Sequence, residues 1–280
     1  MISLMESYDY CRRIARSRAK NFYYSFILLS KEQKNAMCAM YAFMRYCDDL
    51  SDEPGASPAS IEQWRDALTR ALGGEFDDHP LWPAFRDAVS RFGIPKQYFY
   101  EMIEGVESDM TPRVVRTFDD LYQYCYRVAS VVGLTTIHIF GFGDPAARGL
   151  AEKCGIAFQL TNILRDIRED LGLGRVYLPS EDLERFGVQP EELGRGERTE
   201  RFLRLMTFEA NRARSFYDEA RPLLGMVAPG SRSSLWVLMT TYSRLLDKIR
   251  ATNYDVLDRR ISLSTWEKLR IVGRGLAIER

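Results

Sequence analysis

Apolar positions recur at three- and four-residue intervals along most of this chain, and no stretch keeps the strict alternation of a half-buried strand. From 31 to 53 there is neither Gly nor Pro, and "MCAMYAFMRYC" is built from good helix formers. Breakers come in short clusters: "PGASPAS" (54–60), "GGEFDDHP" (73–80), "FGIP" (92–95) and "GFGDP" (141–145), then "GLGRVYLPS" (172–180), "GVQPEELGRG" (187–196) and "GMVAPGSRSS" (225–234). The pattern between them predicts helices, the longest over 31–53, 117–141, 145–171, 197–224 and 231–251. Pro95 and Pro145 suit a first helical turn. No repeat is visible and no linker is long enough to separate domains, so the expectation is one all-α domain spanning 1–280.

Composition narrows the chemistry. Hydrophobic residues make up 46%, enough for a large core. Lys plus Arg equals Asp plus Glu at 39 each, so no bulk field favours nucleic acid. Cysteines at 11, 38, 47, 125 and 154 lack metal-type spacing and read as reduced thiols, and with two histidines a His-based zinc site has almost no material. Basic residues before "NFYYSFILLS" mimic a signal peptide, but "KEQKN" stands where a cleavage site belongs. "VASVVGLTTIHIFGFG" (128–143) is uncharged yet shorter than a membrane span of about 20 residues. A soluble cytoplasmic protein is expected, touching the membrane only peripherally.

Acidic residues gather in two places. In "YCDDLSDEPG" (46–55), Asp48 and Asp52 lie one helical turn apart, on the strip that carries Met37, Tyr41, Met44 and Arg45. That gradient from apolar to anionic suits an amphiphile with an anionic head. An ordinary core stripe with a wet end gives the same pattern. In "FQLTNILRDIREDLGLGRVYLP" (158–179), Gln159, Asn162, Asp166 and Asp170 share one narrow strip beside a leucine and isoleucine face. Hard oxygen ligands of this type suit Mg²⁺, which is commonly held by one or two carboxylates plus substrate phosphates. Two such strips facing each other could hold a diphosphate. On 119–140, Tyr122, Tyr126, Ala129, Gly133 and Phe140 share a face, either as an aromatic-walled groove or as a close helix contact across the small residues. Gly172, Gly174 and Arg175 read as a flap over phosphate or as a plain surface loop.

"DDLSDE" and "NILRDIRED" resemble the two aspartate-rich motifs of the squalene and phytoene synthase family, the head-to-head prenyl transferases. "KNFYYSFILLS", "YAFMRYCDD", "YCYRVASVVG", "GRVYLPSEDLERFGV" and "NYDVLDRR" extend the resemblance over roughly 8–262. It implies an all-α isoprenoid synthase fold around a central cavity. By the resemblance, Asp48, Asp52, Asn162, Asp166 and Asp170 hold Mg²⁺ (or Mn²⁺) and diphosphate. Arg18, Lys20, Asn21, Arg45 and Arg165 contact diphosphate oxygens, and Tyr41, Gln159 and Tyr242 line the substrate sites. Tyr126 joins the aspartates as a catalytic candidate. Asn21 departs from the family, which usually has Ser there, and Arg18 stands near a place where the family often has His or a small polar residue.

The reaction so implied joins two prenyl diphosphates, most simply two farnesyl diphosphates, to presqualene diphosphate or squalene. Phytoene synthesis from two geranylgeranyl diphosphates is the alternative. Phe22 and Phe26, with Met37 and Tyr41, are placed to limit tail length. No dinucleotide fingerprint indicates NADPH, although the family's NADPH site would not show one. No hydrophobic C-terminal anchor of the eukaryotic squalene synthase type is visible, and a monomer or homodimer is expected. A non-catalytic helical assembly protein of the same fold is the rival class, and the intact aspartate motifs oppose it.

Overall fold

The computed structural model describes residues 2–19, 22–52, 57–110 and 114–278, with Asp52 described by its backbone alone. The N-terminal half of this region carries α1 (Leu4–Arg18), α2 (Tyr23–Phe26), α3 (Lys31–Asp52), α4 (Pro58–Gly73), α5 (Trp82–Arg91) and α6 (Gln97–Ser108). Next come α7 (Phe118–Cys125), a π-helical turn (Tyr126–Ser130), α8 (Val131–Phe140) and α9 (Ala147–Gly172). The remainder is α10 (Ser180–Phe186), α11 (Pro190–Gly194), α12 (Glu200–Ala220), α13 (Leu223–Met226), α14 (Pro229–Ala251) and α15 (Thr265–Gly275). Among the described residues there is no strand, only isolated bridges pairing Val114 with Val176 and Phe142 with Val227.

The expected long helices are found, with two instructive differences. The run over 197–224 divides because Pro222 cannot continue α12, and the run over 117–141 contains the wider π-helical turn. Pro95 and Pro145 stand two residues ahead of α6 and α9, just outside the first turn, where their carbonyls accept from Tyr98 and Arg148. Capping boxes start α1 at Ser3, α4 at Ser57, α7 at Thr117 and α15 at Ser264.

Two helices wall the interior, and each is fixed differently. An aromatic cluster holds α3: Phe43 stacks on Phe85 at 4.7 Å and on Trp64 at 5.7 Å, and meets Phe99 edge-on at 5.4 Å. Such pairs add about 0.5–1.5 kcal/mol each beyond simple burial. Close backbone approach holds α9. A Cβ at Gly155 would sit 2.5 Å from Ser130 Cα and 2.7 Å from the Ala129 carbonyl, and one at Gly133 would sit 2.8 Å from the Ala151 carbonyl. The π-helical turn and α9 therefore touch backbone to backbone.

All five cysteines are buried and free, as their spacing implied. A buried ionic group fastens α12 to α10: Arg212 donates to Asp182 at 2.7 Å and to Glu209 at 2.8 Å, with its guanidinium over Phe118 and Phe208. Burial raises the Glu209 carboxyl, to about 8, against the pull of Arg212. Removing that cation would leave the buried Asp182 without its ionic partner, a change of a kind that typically costs about 3–5 kcal/mol.

The glycine contact gives a direct test. Gly155→Ala pushes a methyl into backbone that cannot move aside, so stability should fall by about 1–3 kcal/mol and Tm by roughly 5 °C. Gly149→Ala on the same helix meets nothing within 4 Å and should hold or raise Tm. Equal Tm values in thermal circular dichroism would refute the close contact.

Candidate active site

A cavity of about 430 Å³ lies between α3, α9, α14 and the α7–α8 segment. Phe22, Phe26, Met37, Met40, Ile137, Leu235 and Leu238 line its apolar part. Asp48, Arg45 and Tyr41 border it from α3, and Gln159, Asn162, Arg165, Asp166 and Asp170 from α9. Both acidic strips thus border one chamber. Asp52 continues α3 by its backbone, while Lys20 and Asn21 lie outside the described residues.

The charges at this mouth are unevenly compensated. Arg165 Nε donates to Asp166 Oδ1 at 2.7 Å and its Nη2 reaches Oδ2. Arg260 adds Nε to Oδ1 at 3.0 Å and Nη2 to Oδ2 at 3.2 Å. Burial alone would raise the Asp166 carboxyl, but the Arg165 bonds and the Arg260 charge hold it below its ordinary value. One turn on, Asp170 is pushed up to about 7, first by burial and then by the negative charge of Asp166, with Asp109 and Glu169 adding to it and Arg175 opposing. On α3, Arg45 pairs with Asp49, and its Nε is buried without a hydrogen-bond partner.

Asn162 supplies a second sign of an absent partner. Its Nδ2 donates to Gln159 Oε1 at 3.4 Å, yet its Oδ1 is buried with nothing bonded to it. A buried carbonyl-type oxygen without a donor, on the same helical strip as Asp166 and Asp170, suits a cation. Among the described residues no three His, Cys, Asp or Glu side chains cluster tightly enough to cage a metal. The donor set therefore fits ions shared with a phosphate-bearing ligand better than an all-protein cage.

Aromatic residues complete the walls. Tyr242 is buried, lies parallel to Phe158 at 4.3 Å and tilts against Phe22 at 5.5 Å, and burial pushes its hydroxyl up to about 12. Tyr41 is raised to about 12 by the same cause. Both are neutral phenols near pH 7. Arg18 is exposed at the end of α1, outside the cavity lining, with its charge felt at Tyr41.

Tyr126 is where the helical wheel misleads. It is absent from the lining and its hydroxyl engages Glu101, while Tyr124 faces the chamber. The π-helical turn spends extra residues per turn, so the face carrying Val128, Ala129, Val132 and Gly133 continues to Tyr124. Tyr122 bonds Glu152 at 2.5 Å and Phe140 is core, so neither builds a groove. Ala129 and Gly133 serve both readings, bordering the cavity and packing closely on α9.

Three further residues act at the mouth: Asp109, which carried no sequence signal, Arg175 from the glycine-rich loop, and Arg260, which lies outside the lining but pairs with its acids. Asp109 accepts from Tyr124 at 3.0 Å and from Tyr177 at 2.8 Å, and those rings stack at 4.8 Å. Arg175 borders the chamber near Asp170, at the end of the glycine-rich loop. Arg260, in the "NYDVLDRR" segment, covers the second acidic strip.

Comparison with known proteins follows the same outline. The squalene/phytoene synthase family profile matches residues 15–267. The chain is 36% identical to a 15-cis-phytoene synthase of Synechococcus elongatus, covering 96% of this chain and 92% of the relative. It is 36% identical to phytoene synthase 1 of Arabidopsis thaliana, covering 95% of this chain and 65% of that longer protein. Among solved structures, a dehydrosqualene synthase bound to a ligand superposes with a TM-score of 0.92 at 30% identity, over 98% of this chain and 97% of its own. A squalene synthase of Alicyclobacillus acidocaldarius gives 0.84 at 30% identity, over 90% and 95%.

The uneven charge compensation is testable without substrate. In ion-free protein, carboxyl ¹³C NMR should show Asp170 titrating near 7. Because its folded pKa lies above the ordinary 3.8, its ionised form opposes folding, so stability should decline as pH climbs from about 4 through 7. Asp109→Asn removes one raising charge and should move the titration down. Ordinary titration of Asp170 would refute like-charge crowding.

Proposed function

The chain belongs to the squalene/phytoene synthase family, and on that premise we propose that it condenses two farnesyl diphosphates head to head to presqualene diphosphate or squalene. The family's prenyl transfer and its use of a divalent metal for diphosphate are the firm ground. The observation that carries the reading is one chamber whose mouth bears Asp48, Asn162, Asp166, Asp170, Arg45 and Arg165, and whose depth is apolar.

Asp48, Asn162, Asp166 and Asp170, with Asp52, would hold Mg²⁺ or Mn²⁺ together with diphosphate oxygens. When bound, such an ion supplies Lewis-acid neutralisation of the departing charge. Arg45 and Arg165 border the same oxygens, with Lys20 and Asn21 assigned there by the resemblance, and Gln159 orients Asn162. The C1–O bond of one allylic diphosphate breaks, and its electron pair leaves with the diphosphate. The C2–C3 double bond of the second chain attacks the allylic cation, and loss of a proton closes the cyclopropane. Phenols raised to about 12 at Tyr41 and Tyr242 stay protonated, so they donate hydrogen bonds and do not act as bases. The departing diphosphate is the nearby base. Phe22, Phe26 and Phe158 keep water from the cation and offer it ring faces.

Tail length rests on the apolar end. Phe22, Phe26, Met37 and Tyr41 all border the chamber, with Phe26 fully buried, so the longer C20 tail would lack room. A second reading, phytoene from two geranylgeranyl diphosphates, is favoured by the names of the relatives at 36% identity. No described helix is long and apolar enough to cross a membrane. We place the protein in the cytoplasm as one 1–280 domain, monomeric or dimeric, touching the bilayer transiently to release an oily product.

Asp48→Ala and Asp166→Ala should each lower turnover by about 10²–10³ or more with unchanged helical circular dichroism. Normal turnover by either, or full activity in excess chelator, would sink the cation-assisted reading. Mass analysis of products from C15 and C20 diphosphates, each with and without NADPH, decides the substrate. C15 should win in competition, and Phe26→Ala should shift use toward C20. Dominant C40 product from the unaltered protein would overturn the chain-length claim and leave head-to-head condensation standing.

A further inference from the structure

Helix α15 lies on the outside of the molecule with an apolar face turned outward. Trp266 is 82% exposed, Leu269 45% and Leu276, just past the helix end, 54%. At the α-helical repeat these three fall on one narrow arc, with Gly273 between them. The opposite arc is buried. Ile271 and Gly275 pack toward α14 and α2, close enough that a Cβ on Gly275 would meet Val237 Cγ2 at 2.5 Å. Scattered surface leucines need no explanation, but a tryptophan and two leucines aligned on one helix face do.

The surrounding charge says what could cover them. A groove of about 440 Å³ between α14 and α15 is bordered by Arg244, Lys248, Arg270 and Arg274. Its two carboxylates are already engaged, Asp247 with Arg214 and Glu267 with Lys248. Arg244, Arg270 and Arg274 form no ion pair with any described residue. Uncompensated guanidiniums beside an outward tryptophan match the two layers of an anionic bilayer surface, phosphate above and acyl chain below.

The position fits the chemistry inside. Helices α2 and α14 stand between α15 and the cavity: Phe26, Leu235 and Leu238 face inward, whereas Trp236 and Val237 back onto α15. The apolar patch therefore overlies the apolar end of the chamber, one helix layer away from where a hydrocarbon product would lie.

We infer that α15 docks the protein on anionic phospholipid membrane, Trp266, Leu269 and Leu276 entering the acyl boundary while Arg244, Arg270 and Arg274 contact headgroup phosphates. This gives a location to the transient membrane contact proposed above and rests on that reading. The test is flotation of the full chain with phosphatidylglycerol–phosphatidylcholine vesicles and with phosphatidylcholine alone. The wild type should bind the anionic vesicles more tightly, and less so at high salt. Trp64 and Trp82 are buried and Trp236 is half-buried in the groove, so most of a vesicle-induced blue shift of fluorescence should be lost in Trp266→Phe. Trp266→Ser with Leu269→Ser, and separately Arg270→Ser with Arg274→Ser, should each weaken binding about tenfold or more, with circular dichroism and turnover on detergent-solubilised substrate retained. If the wild type floats and both double variants float equally, docking lies elsewhere and the inference falls. If free phosphate at millimolar concentration abolishes binding to neutral and anionic vesicles alike, the groove is a soluble-anion site and the inference falls. A wild-type dimer that Trp266→Ser turns into a monomer assigns the face to a second copy and overturns it too. If the wild type binds no vesicle, the membrane contact itself is wrong, and the prenyltransferase reading is untouched because turnover is read separately.

Discussion

Carboxylates held at the edge of an apolar chamber impose the constraint from which the mouth of this site follows. Asp166 has two arginines on it and stays low, whereas Asp170, one turn further along α9, is raised by burial and by its neighbour's charge. Groups of one chemical type are thus driven apart by surroundings alone. Compensation at this mouth is therefore uneven from one acid to the next. The Asn162 oxygen, buried without a donor on the same strip, points the same way. A polyanionic ligand arriving with divalent ions would resolve both, which makes the ligand part of the charge balance of the site.

Much of this was legible in the residues because both strips lie on long unbroken helices. On α3 and α9 the repeat of 3.6 residues holds, so phasing from sequence alone grouped Tyr41, Arg45 and Asp48 on one strip and Gln159, Asn162, Asp166 and Asp170 on another, and both strips border the chamber. The same arithmetic failed at Tyr126 because one π-helical turn changes the phase, and no residue in "YRVAS" announces such a turn. At this turn Gly155 brings α9 against the backbone of Ala129 and Ser130, a tertiary contact that the local sequence does not encode. The placing of Asp109, Arg175 and Arg260 was hard to read for another reason. Each reaches the site from an irregular segment or a helix end, where hydrophobic periodicity carries no information about direction.

Rigidity is built into the two walls by means that do not compete with the chemistry. The aromatic cluster behind α3 uses Phe43, on the face turned away from Asp48 and Tyr41, so stacking fixes the helix without occupying the cavity. On α9, Gly155 does the equivalent work at the deep end of the chamber-facing strip by removing a side chain, and Gln159, Asn162 and Asp166 continue that strip to the mouth. Positioning of this kind matters for a reaction between two mobile chains, since most of its barrier is orientation and charge separation.

The tyrosines show how the chamber can be polar at its walls and still shelter a cation. Tyr41, Tyr124, Tyr177 and Tyr242 are all raised by burial, so none presents a phenolate to capture an allylic cation. Asp109 would be the obvious trap, being a carboxylate on the lining, but both of its oxygens accept from Tyr124 and Tyr177. Hydrogen bonds from two phenols spread its charge and lower its nucleophilicity, and the stacked rings cover it from one side. A chamber with one acid shielded in this way, and the others gathered at the mouth with their arginines, keeps bare carboxylates away from its apolar depth.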